Sequence, residues 1–318
     1  MRNYFLKRVM VSIVVFIGVT LLVYFLSTLM PGSPAASLIT PEMTEEQVAE
    51  LERQMGLDQP FITRYITWLT NFFKGNLGTS LLYKRSVNEL IQIRIMPTLS
   101  LALASLVLAL MIAIPLGVLA AYKPYTLADY LFSGVSFLGV AMPEFFSALI
   151  AIYFFSIRWQ LLPSSGMHAV NDDGLGSLIV YAIMPTAVVT FSRLGSFIRQ
   201  TRSAMLEVLN EDFVRTDRAM GYSEGQVLMH ALRNALIPIV TIVGNSLGGL
   251  IAGSVVVETI FARPGIGMLL VTAITDRDYP VIVAISTLIA ACVLVCNIIV
   301  DFVYTLLDPR VRHNSKPH

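Results

Sequence analysis

The sequence predicts an all-α polytopic membrane protein, with six transmembrane helices and a small external insert between the first two. Apolar residues make up 55% of the 318-residue chain and charged residues only 14%, whereas a soluble domain carries about 25% charged residues. Uncharged apolar stretches long enough to cross a bilayer recur along the chain. Lys and Arg concentrate in those short connecting segments that six crossings would place on one side.

Composition also excludes some classes of function. The formal net charge of +1 gives no basic surface of the kind that nucleic-acid partners require. The two cysteines, Cys292 and Cys296, lie one helical turn apart in an apolar run. We therefore interpret them as buried thiols that act as small apolar groups, rather than as a disulfide or a metal site.

The first predicted span covers residues 9–30 and follows the cationic residues Arg2, Lys7 and Arg8. Its 22 residues reach about 33 Å at about 1.5 Å per residue, enough to cross a bilayer core. A cleaved signal peptide is the alternative, because small residues follow at 34–37. The apolar run is longer than the apolar core of a signal peptide, about 7–15 residues, so 1–30 is interpreted as a cytoplasmic N-terminus and helix 1.

A polar segment, residues 31–97, separates the first two spans. Thr44 and Gln47 have the spacing of a capping box at the start of a helix. Because the segment is much too long for a turn, it predicts a small folded external cap. The cap could serve as a lid or spacer, or it could contact a protein that delivers substrate.

The core transmembrane domain is predicted over 98–307, followed by a cytoplasmic tail at 308–318. Its five spans are 98–121, 130–157, 177–198, 235–260 and 281–307. Several of these spans contain or adjoin prolines, namely Pro115, Pro143, Pro185 and Pro238. Such kinks are tolerated in membrane helices whose freed carbonyl groups find other partners.

The distribution of Lys and Arg predicts the orientation. Thirteen of these residues lie on the predicted inner side: Arg2, Lys7, Arg8, Lys123, Arg193, Arg199, Arg202, Arg215, Arg218, Arg233, Arg310, Arg312 and Lys316. The short outer segments hold only Arg158, Arg263 and Arg277. Both termini are therefore predicted to be cytoplasmic and the insert external.

A polar segment, 212–238, interrupts the apolar spans on the predicted cytoplasmic side. It reads as two helices separated at Gly221, because glycine enters the left-handed conformation that ends a helix without a Cβ clash. Ser223 and Gln226 then provide a second capping box. The simpler alternative is a solvated loop that joins two spans.

Three acidic residues are predicted to lie within or near the membrane. Glu144 follows Pro143 in the middle of the third span, where a carboxylate costs about 2.5–3.5 kcal/mol unless it faces water or a partner. It is therefore a candidate for the translocation path, with a helix-bonded structural role as the alternative. Glu258 lies near the outer end of the fifth span, and Asp301, inside the sixth, is expected to have a buried cationic or hydroxyl partner.

The fifth span also contains four closely spaced glycines, Gly244, Gly248, Gly249 and Gly253. They form two small-xxx-small pairs, which allow two helix backbones to approach closely. This pattern indicates either tight packing within one bundle or a helix that lines a path or contacts a partner.

The polar segment resembles the cytoplasmic coupling loop of the inner-membrane permeases of ABC importers, on residues 211–216, 218–219, 221 and 230–238. The resemblance is to the dipeptide, oligopeptide and nickel branch, and within it to the first, B-type, permease. Segments 56–60, 75–80, 258–261, 264–267 and 308–312, together with Asp301, match further signatures of that branch. Asp217 departs from the pattern, which usually has a small apolar residue there.

The resemblance implies the type I ABC importer permease fold in a bacterial or archaeal cell membrane. It also implies a second homologous permease, two cytoplasmic ATPases that bind ATP and Mg, and an external binding protein. Within 199–234, the residues expected to couple to an ATPase are Phe213, Arg215, Asp217, Arg218, Ala219 and Gly221. Glu144, Gly248 and Glu258 are expected at the path or gate. The expected cargo is a dipeptide or oligopeptide, with nickel or another small solute as the alternative.

The sequence contains no motif for catalysis by this chain alone. It lacks a Walker A phosphate loop, a His-Glu-x-x-His motif and a Gly-x-Ser-x-Gly motif. No cofactor or metal is therefore expected, and the histidines at 168, 230, 313 and 318 are interpreted as incidental. A stand-alone secondary transporter remains the other transport class, but it would usually show inverted repeats, which are not evident.

Overall fold

The computed structural model describes residues 2–30, 39, 42–54, 56–169, 172 and 174–307. The cytoplasmic tail predicted at 308–318 lies outside the described residues. Within them the chain forms eleven α-helices: α1 (Arg2–Leu29), α2 (Glu45–Gln54), α3 (Phe61–Phe73), α4 (Val87–Tyr122), α5 (Leu127–Ala141), α6 (Glu144–Ala151), α7 (Leu175–Leu209), α8 (Asp212–Ala219), α9 (Glu224–Ile260), α10 (Ile266–Thr275) and α11 (Tyr279–Leu307).

Five of the six predicted spans fall within single long helices, α1, α4, α7, α9 and α11. Among the described residues, segments 6–29, 87–122, 175–209 and 279–302 are long and apolar enough to cross a membrane. The predicted start of the second span at residue 98 was too late, because α4 already begins at Val87. The polar residues of its first turns belong to the helix, which therefore extends into the predicted 31–97 insert.

The third predicted span, 130–157, is not one continuous helix. Helices α5 and α6 meet at an angle of 103°, and α6 continues as a π-helix over Ile152–Arg158. The break has a local cause at Pro143, which lacks a backbone N–H and forces the preceding Met142 into an extended conformation (φ −80°, ψ 122°). The bent pair is compatible with one broken span or with a re-entrant loop.

Helices α4 and α7 run side by side in the same direction and form the centre of the bundle. The Thr190 hydroxyl of α7 donates to the Ser105 carbonyl of α4 at 3.3 Å. Further along, a Cβ added at Gly117 would lie only 2.6 Å from the Cβ of Thr201, so the two backbones approach closely there. Small residues such as Ala109 and Ala113 on α4 are fully buried in this contact.

Two further apolar clusters define the ends of the bundle. The outer cluster combines the start of α4 with α10 and α11 and includes Val87, Leu269, Val281 and Ile285. The inner cluster joins the ends of α4 and α7 to the start of α9, and its buried members are Ala121, Ala204, Met205, Val208, Ala231, Ala235 and Ile239. Both ends are therefore packed cores rather than loose connections.

The described part of the insert is attached to the spans by specific polar contacts. Tyr65 of α3 forms a 2.8 Å hydrogen bond with Thr20 of α1. Nearer α4, the carboxylate of Asp278, only 1% exposed, accepts bonds from the Ser80 hydroxyl and from the N–H groups of Leu81 (3.1 Å) and Leu82 (3.2 Å). The Thr44–Gln47 capping box predicted for α2 is confirmed.

The expected partner of Asp301 is Arg8. The Arg8 guanidinium of α1 lies 3.0 Å from the Asp301 carboxylate of α11. The pair joins α1 to α11 and confirms the expectation of a cationic partner, but the Arg8 side chain is 50% exposed, so the expectation that this partner is buried was wrong.

We predict that the bent pair α5–α6 crosses the membrane once, so that positions 50 and 224 lie on opposite sides. The variants Glu50→Cys and Glu224→Cys, each in a background without Cys292 and Cys296, should be tested with a membrane-impermeant maleimide on intact cells. Position 50 should be labelled from outside, and position 224 only after permeabilisation. If the pair re-enters instead of crossing, both positions lie on the same side, and equal labelling would refute the six-span topology.

Candidate functional site

The predicted helix–glycine–helix elbow is present between α8 and α9. Gly221 adopts a positive φ of +84°, and the turn has the two hydrogen bonds of a Schellman motif. The Tyr222 N–H donates to the Asp217 carbonyl at 3.2 Å, and the Gly221 N–H donates to the Arg218 carbonyl at 3.1 Å. Ser223 and Gln226 form the predicted capping box at the start of α9. The elbow (residues 212–226) is thus a fixed structure rather than a solvated loop.

Asp217, one of the residues expected to couple to an ATPase, does not lie at the surface of α8. Asp217 is only 8% exposed, and its carboxylate accepts a 2.9 Å hydrogen bond from Nδ1 of His230 on α9. Asp217 therefore joins α8 to α9 from the inside. His230, interpreted as incidental, is its partner, and the separation of 13 residues explains why sequence periodicity gave no sign of the pair.

Helix α8 is attached to the bundle through its apolar face. Val214 is fully buried, and the partly buried Phe213 packs against the inner cluster. Phe213, one of the residues expected to couple to an ATPase, is thus part of this chain's own packing. The opposite face leaves Ala219 exposed, together with Met220, which is 63% exposed.

The predicted cationic residues of the elbow lie at its surface. Arg218 forms a two-pronged ion pair with Glu224 across the turn, at 3.0 and 3.3 Å. Arg215 lies 3.6 Å from Asp212 on the exposed side of α8. The sequence analysis did not identify Tyr222, which is 41% exposed and stacks edge-on against the ring of His230.

A second ion pair that the sequence did not reveal lies near the elbow. Arg202 of α7 donates from Nε and from a terminal nitrogen to the two carboxylate oxygens of Asp129, both at 2.7 Å. The Tyr125 N–H also donates to Asp129, at 2.9 Å. The start of α5 is thereby fixed to the segment of α7 that leads towards α8.

Glu144 occupies the first position of α6, directly after the break in the third span. The Ser192 hydroxyl of α7 donates to its carboxylate at 3.2 Å. Next to Ser192, Arg193 donates to the backbone carbonyl of Gly249 on α9, at 3.1 Å. Arg193, counted above on the predicted inner side, lies midway along α7 and not at its inner end. We call Glu144, Ser192, Arg193 and the Gly249 carbonyl the intramembrane polar cluster, since it brings together α6, α7 and α9.

Glu258 is completely buried at the turn between α9 and α10. Its carboxylate accepts bonds from the hydroxyls of Thr98 (2.7 Å) and Ser254 (3.1 Å) and from the N–H groups of Gly267 (2.7 Å) and Met268 (3.2 Å). It therefore satisfies free N–H groups in the first turn of α10, as an N-cap does. A role at the outer gate stays a prediction.

Arg263 lies beside Glu258 in the same turn and connects it to α4. Its guanidinium donates to the Pro97 carbonyl at 3.3 Å and to the Ser100 hydroxyl at 3.1 Å. Burial lowers the pKa of the Arg263 guanidinium, and the neighbouring Glu258 charge acts in the opposite direction. The two charges thus offset part of the cost of burying each other.

Gly248, expected at the path or gate, lies in the contact between α9 and α11. A Cβ at this position would be 3.2 Å from the Val293 side chain, which fits the packing alternative. At Gly249, by contrast, a Cβ would meet nothing within 4 Å. Within the described residues, no group of three His, Cys, Asp or Glu side chains is placed to hold a metal ion.

Comparison with known proteins gives consistent matches over most of the chain. Residues 113–313 match the family model of the binding-protein-dependent transport system inner membrane component, and residues 1–102 match the N-terminal model of that membrane component. The chain is 40% identical over 316 residues to the oligopeptide transport system permease protein AppB of Bacillus subtilis, covering 98% of this chain and 100% of that protein. It is 38% identical over 317 residues to a putative peptide permease protein of Brucella ovis, covering 98% and 99%.

A solved structure supports the fold independently of close sequence similarity. One chain of the inward-facing MetNI methionine ABC transporter matches with a TM-score of 0.52 and 19% identity, covering 71% of this chain and 97% of that chain. At this level of identity the match is informative for the fold alone.

We predict that Glu258→Ala destabilises the chain strongly. It removes the acceptor of two N–H groups and two hydroxyls, and each buried group left unsatisfied costs about 1–3 kcal/mol. The apparent midpoint of unfolding in detergent should therefore fall by several degrees. The matched control is Glu224→Ala, which removes an exposed partner of Arg218 and should cost at most about 1 kcal/mol. Equal midpoints for the two variants would contradict a structural role for Glu258.

Proposed function

The chain belongs to the family of binding-protein-dependent transport system inner membrane components, and on this premise we propose that it forms half of the translocation pathway of an ATP-driven peptide importer. As a member of this family it is a multi-pass membrane permease subunit. The other half of the pathway would come from a homologous permease. Two cytoplasmic ATPases would bind ATP and Mg, and an external binding protein would deliver the cargo.

The proposal of peptides as cargo is supported by the names of the relatives. Those with 37–40% identity and nearly complete coverage are named as oligopeptide or peptide permeases. Nickel chelates, the alternative within the same branch, have no corresponding support among these relatives. The insert at 31–97, attached through Tyr65 and Asp278, would face the binding protein in the predicted orientation, with both termini cytoplasmic in a bacterial or archaeal membrane.

The observation that carries the proposed mechanism is the unbroken course of α9. This helix runs for 37 residues from the elbow at Glu224 to Ile260, about 55 Å at about 1.5 Å per residue. Because it exceeds the bilayer core of about 30 Å, one rigid element joins the predicted cytoplasmic surface to the region of Glu258. A displacement of the elbow would therefore move α9 along its whole length.

The elbow has the two properties that a coupling element requires. Its interior is fixed to the bundle by Val214 and by the Asp217–His230 bond, so that force is not lost in a flexible joint. Its outer surface presents Ala219, Met220 and Tyr222, which a groove on an ATPase could bury. Burial of apolar area contributes about 25 cal/mol per Å², whereas exposed ion pairs contribute about 0–1 kcal/mol each. The apolar face would therefore dominate docking.

We predict that Gly221→Val interrupts the coupling between this chain and the ATPases, so that stimulated ATP hydrolysis and transport are both lost. An added Cβ would clash with nothing, since no atom lies within 4 Å, so the effect comes from the positive φ alone. A β-branched residue in this conformation adds roughly 1–2 kcal/mol of strain and should turn the elbow. In the reconstituted complex, ATP hydrolysis stimulated by the binding protein and peptide uptake should both fall sharply.

The control is Gly221→Asn, because asparagine tolerates the left-handed region far better than valine and should retain most of the stimulated hydrolysis. Co-purification of the ATPases with each variant checks assembly. Full stimulated hydrolysis and uptake in Gly221→Val, with ATPases bound, would place the coupling contact elsewhere. Wild-type complex that takes up no labelled dipeptide or oligopeptide, but does take up a nickel chelate, would refute the proposed cargo and leave the coupling result valid.

A further inference from the structure

The intramembrane polar cluster contains two opposite charges that do not neutralise each other by direct contact. Glu144 and Arg193 interact electrostatically, but no ion pair joins them among those found in the described residues. The carboxylate of Glu144 accepts from Ser192, and Arg193 donates to the Gly249 carbonyl. Each charge is thus held by a neutral group on a neighbouring helix.

Both charged groups retain capacity for another partner. The Nε of Arg193 is buried and has no hydrogen-bond acceptor. The bonds found for Glu144 in the described part of the chain involve only one of its two oxygens, Oε1. A buried donor without an acceptor carries a penalty that a ligand can remove. The arrangement is therefore suited to receive an additional polar group.

The position of the cluster indicates the kind of environment from which an additional polar group would come. It lies at the break between α5 and α6, and Gly249 beside it is exposed, with open space where a Cβ would stand. Charged side chains within a membrane protein face the interior of the assembly or a water-filled cavity rather than lipid. An open, charged surface at this position thus fits a path between two permeases.

We propose that the intramembrane polar cluster binds the charged ends of a peptide in transit, with Arg193 receiving the terminal carboxylate and Glu144 the terminal ammonium. This inference rests on the proposed function and extends it to the residues that contact cargo. The guanidinium presents parallel N–H donors that match a carboxylate. A separated pair of opposite charges matches a zwitterion better than either charge alone.

The cluster is also connected to the element expected to move. The Gly249 carbonyl that holds Arg193 belongs to α9, the helix that begins at the elbow. A shift of α9 relative to α7 would alter this bond and with it the donors that Arg193 offers to cargo. The affinity of the cluster would then depend on the transport state, as release of cargo requires.

The test compares variants in the complete complex in proteoliposomes, with permeases, ATPases and binding protein. Arg193→Gln and Glu144→Gln should each lower the amount of unmodified dipeptide or oligopeptide taken up per ATP hydrolysed by about tenfold or more. Stimulated ATP hydrolysis is measured in parallel, and the readout is the ratio of uptake to hydrolysis, because the Arg193–Gly249 bond links the cluster to α9. Arg193→Lys, which keeps the charge but lacks the fork of donors, should recover part of the uptake. Arg199→Gln, an exposed residue on the same helix, is the matched control.

The outcomes separate this inference from the proposed function. If the wild-type complex imports no peptide, the proposed function is refuted. If the wild-type complex imports peptide and both Gln variants keep the same ratio of uptake to hydrolysis, only the cargo contact is refuted. A parallel fall in uptake and hydrolysis would indicate a structural role and would also overturn it. If Arg193→Gln fails to assemble, the test uses the wild-type complex with a C-terminally amidated peptide, which lacks the carboxylate that Arg193 would bind. At saturating binding protein, uptake of this peptide per ATP hydrolysed should be about tenfold or more lower than uptake of the free acid.

Discussion

A backbone N–H group inside a bilayer has no water to bond, so any helix that starts or stops there needs an acceptor within the protein. In this chain buried carboxylates meet that need. Glu258 accepts the N–H groups of Gly267 and Met268 at the start of α10. Outside the predicted spans, the buried Asp278 carboxylate likewise accepts the N–H groups of Leu81 and Leu82 in the insert that leads to α4. Both acids accept N–H groups that no hydrogen bond within a helix satisfies, and they thereby offset the free-energy cost of burying those groups.

The need to satisfy backbone groups within the protein also explains why α9 can move as one rigid element. Its first turn is closed by the Ser223–Gln226 capping box. At its other end the carbonyls of Val257 and Glu258 accept the N–H groups of Phe261 and Arg263 in the turn that follows. Between them, Pro238 does not divide the helix. The α5–α6 pair shows the opposite result, because Pro143 there ends one helix and starts another. Whether proline bends or breaks a helix in this chain depends on the support that the neighbouring residues give.

Much of this architecture could be read from local patterns in the sequence. Hydropathy located the long helices, and the spacing of Gly221, Ser223 and Gln226 located the elbow, because capping and positive φ are properties of a few adjacent residues. The angle of 103° at Pro143 could not be derived, since Pro115, Pro185 and Pro238 lie inside continuous helices and a proline alone specifies neither a break nor its direction. Nor could the inward orientation of Asp217, which depends on contact with a residue on another helix. Polar pairs distant in sequence have no periodic signature.

The two glutamates at membrane depth show how structure distinguishes roles that sequence treats alike. Glu258 is completely buried, whereas Glu144 is only half-buried, and a carboxylate removed from water carries a cost unless it has partners. Four hydrogen bonds from three segments of the chain offset that cost for Glu258, and no capacity is left for a ligand. Glu144 receives a single side-chain bond, from Ser192, beside an arginine whose Nε lacks an acceptor. A fully satisfied acid stabilises the fold, whereas an incompletely satisfied one retains free energy for binding. The number of donors that face each carboxylate therefore marks Glu258 as part of the framework, whereas the place of Glu144 on the path stays a prediction.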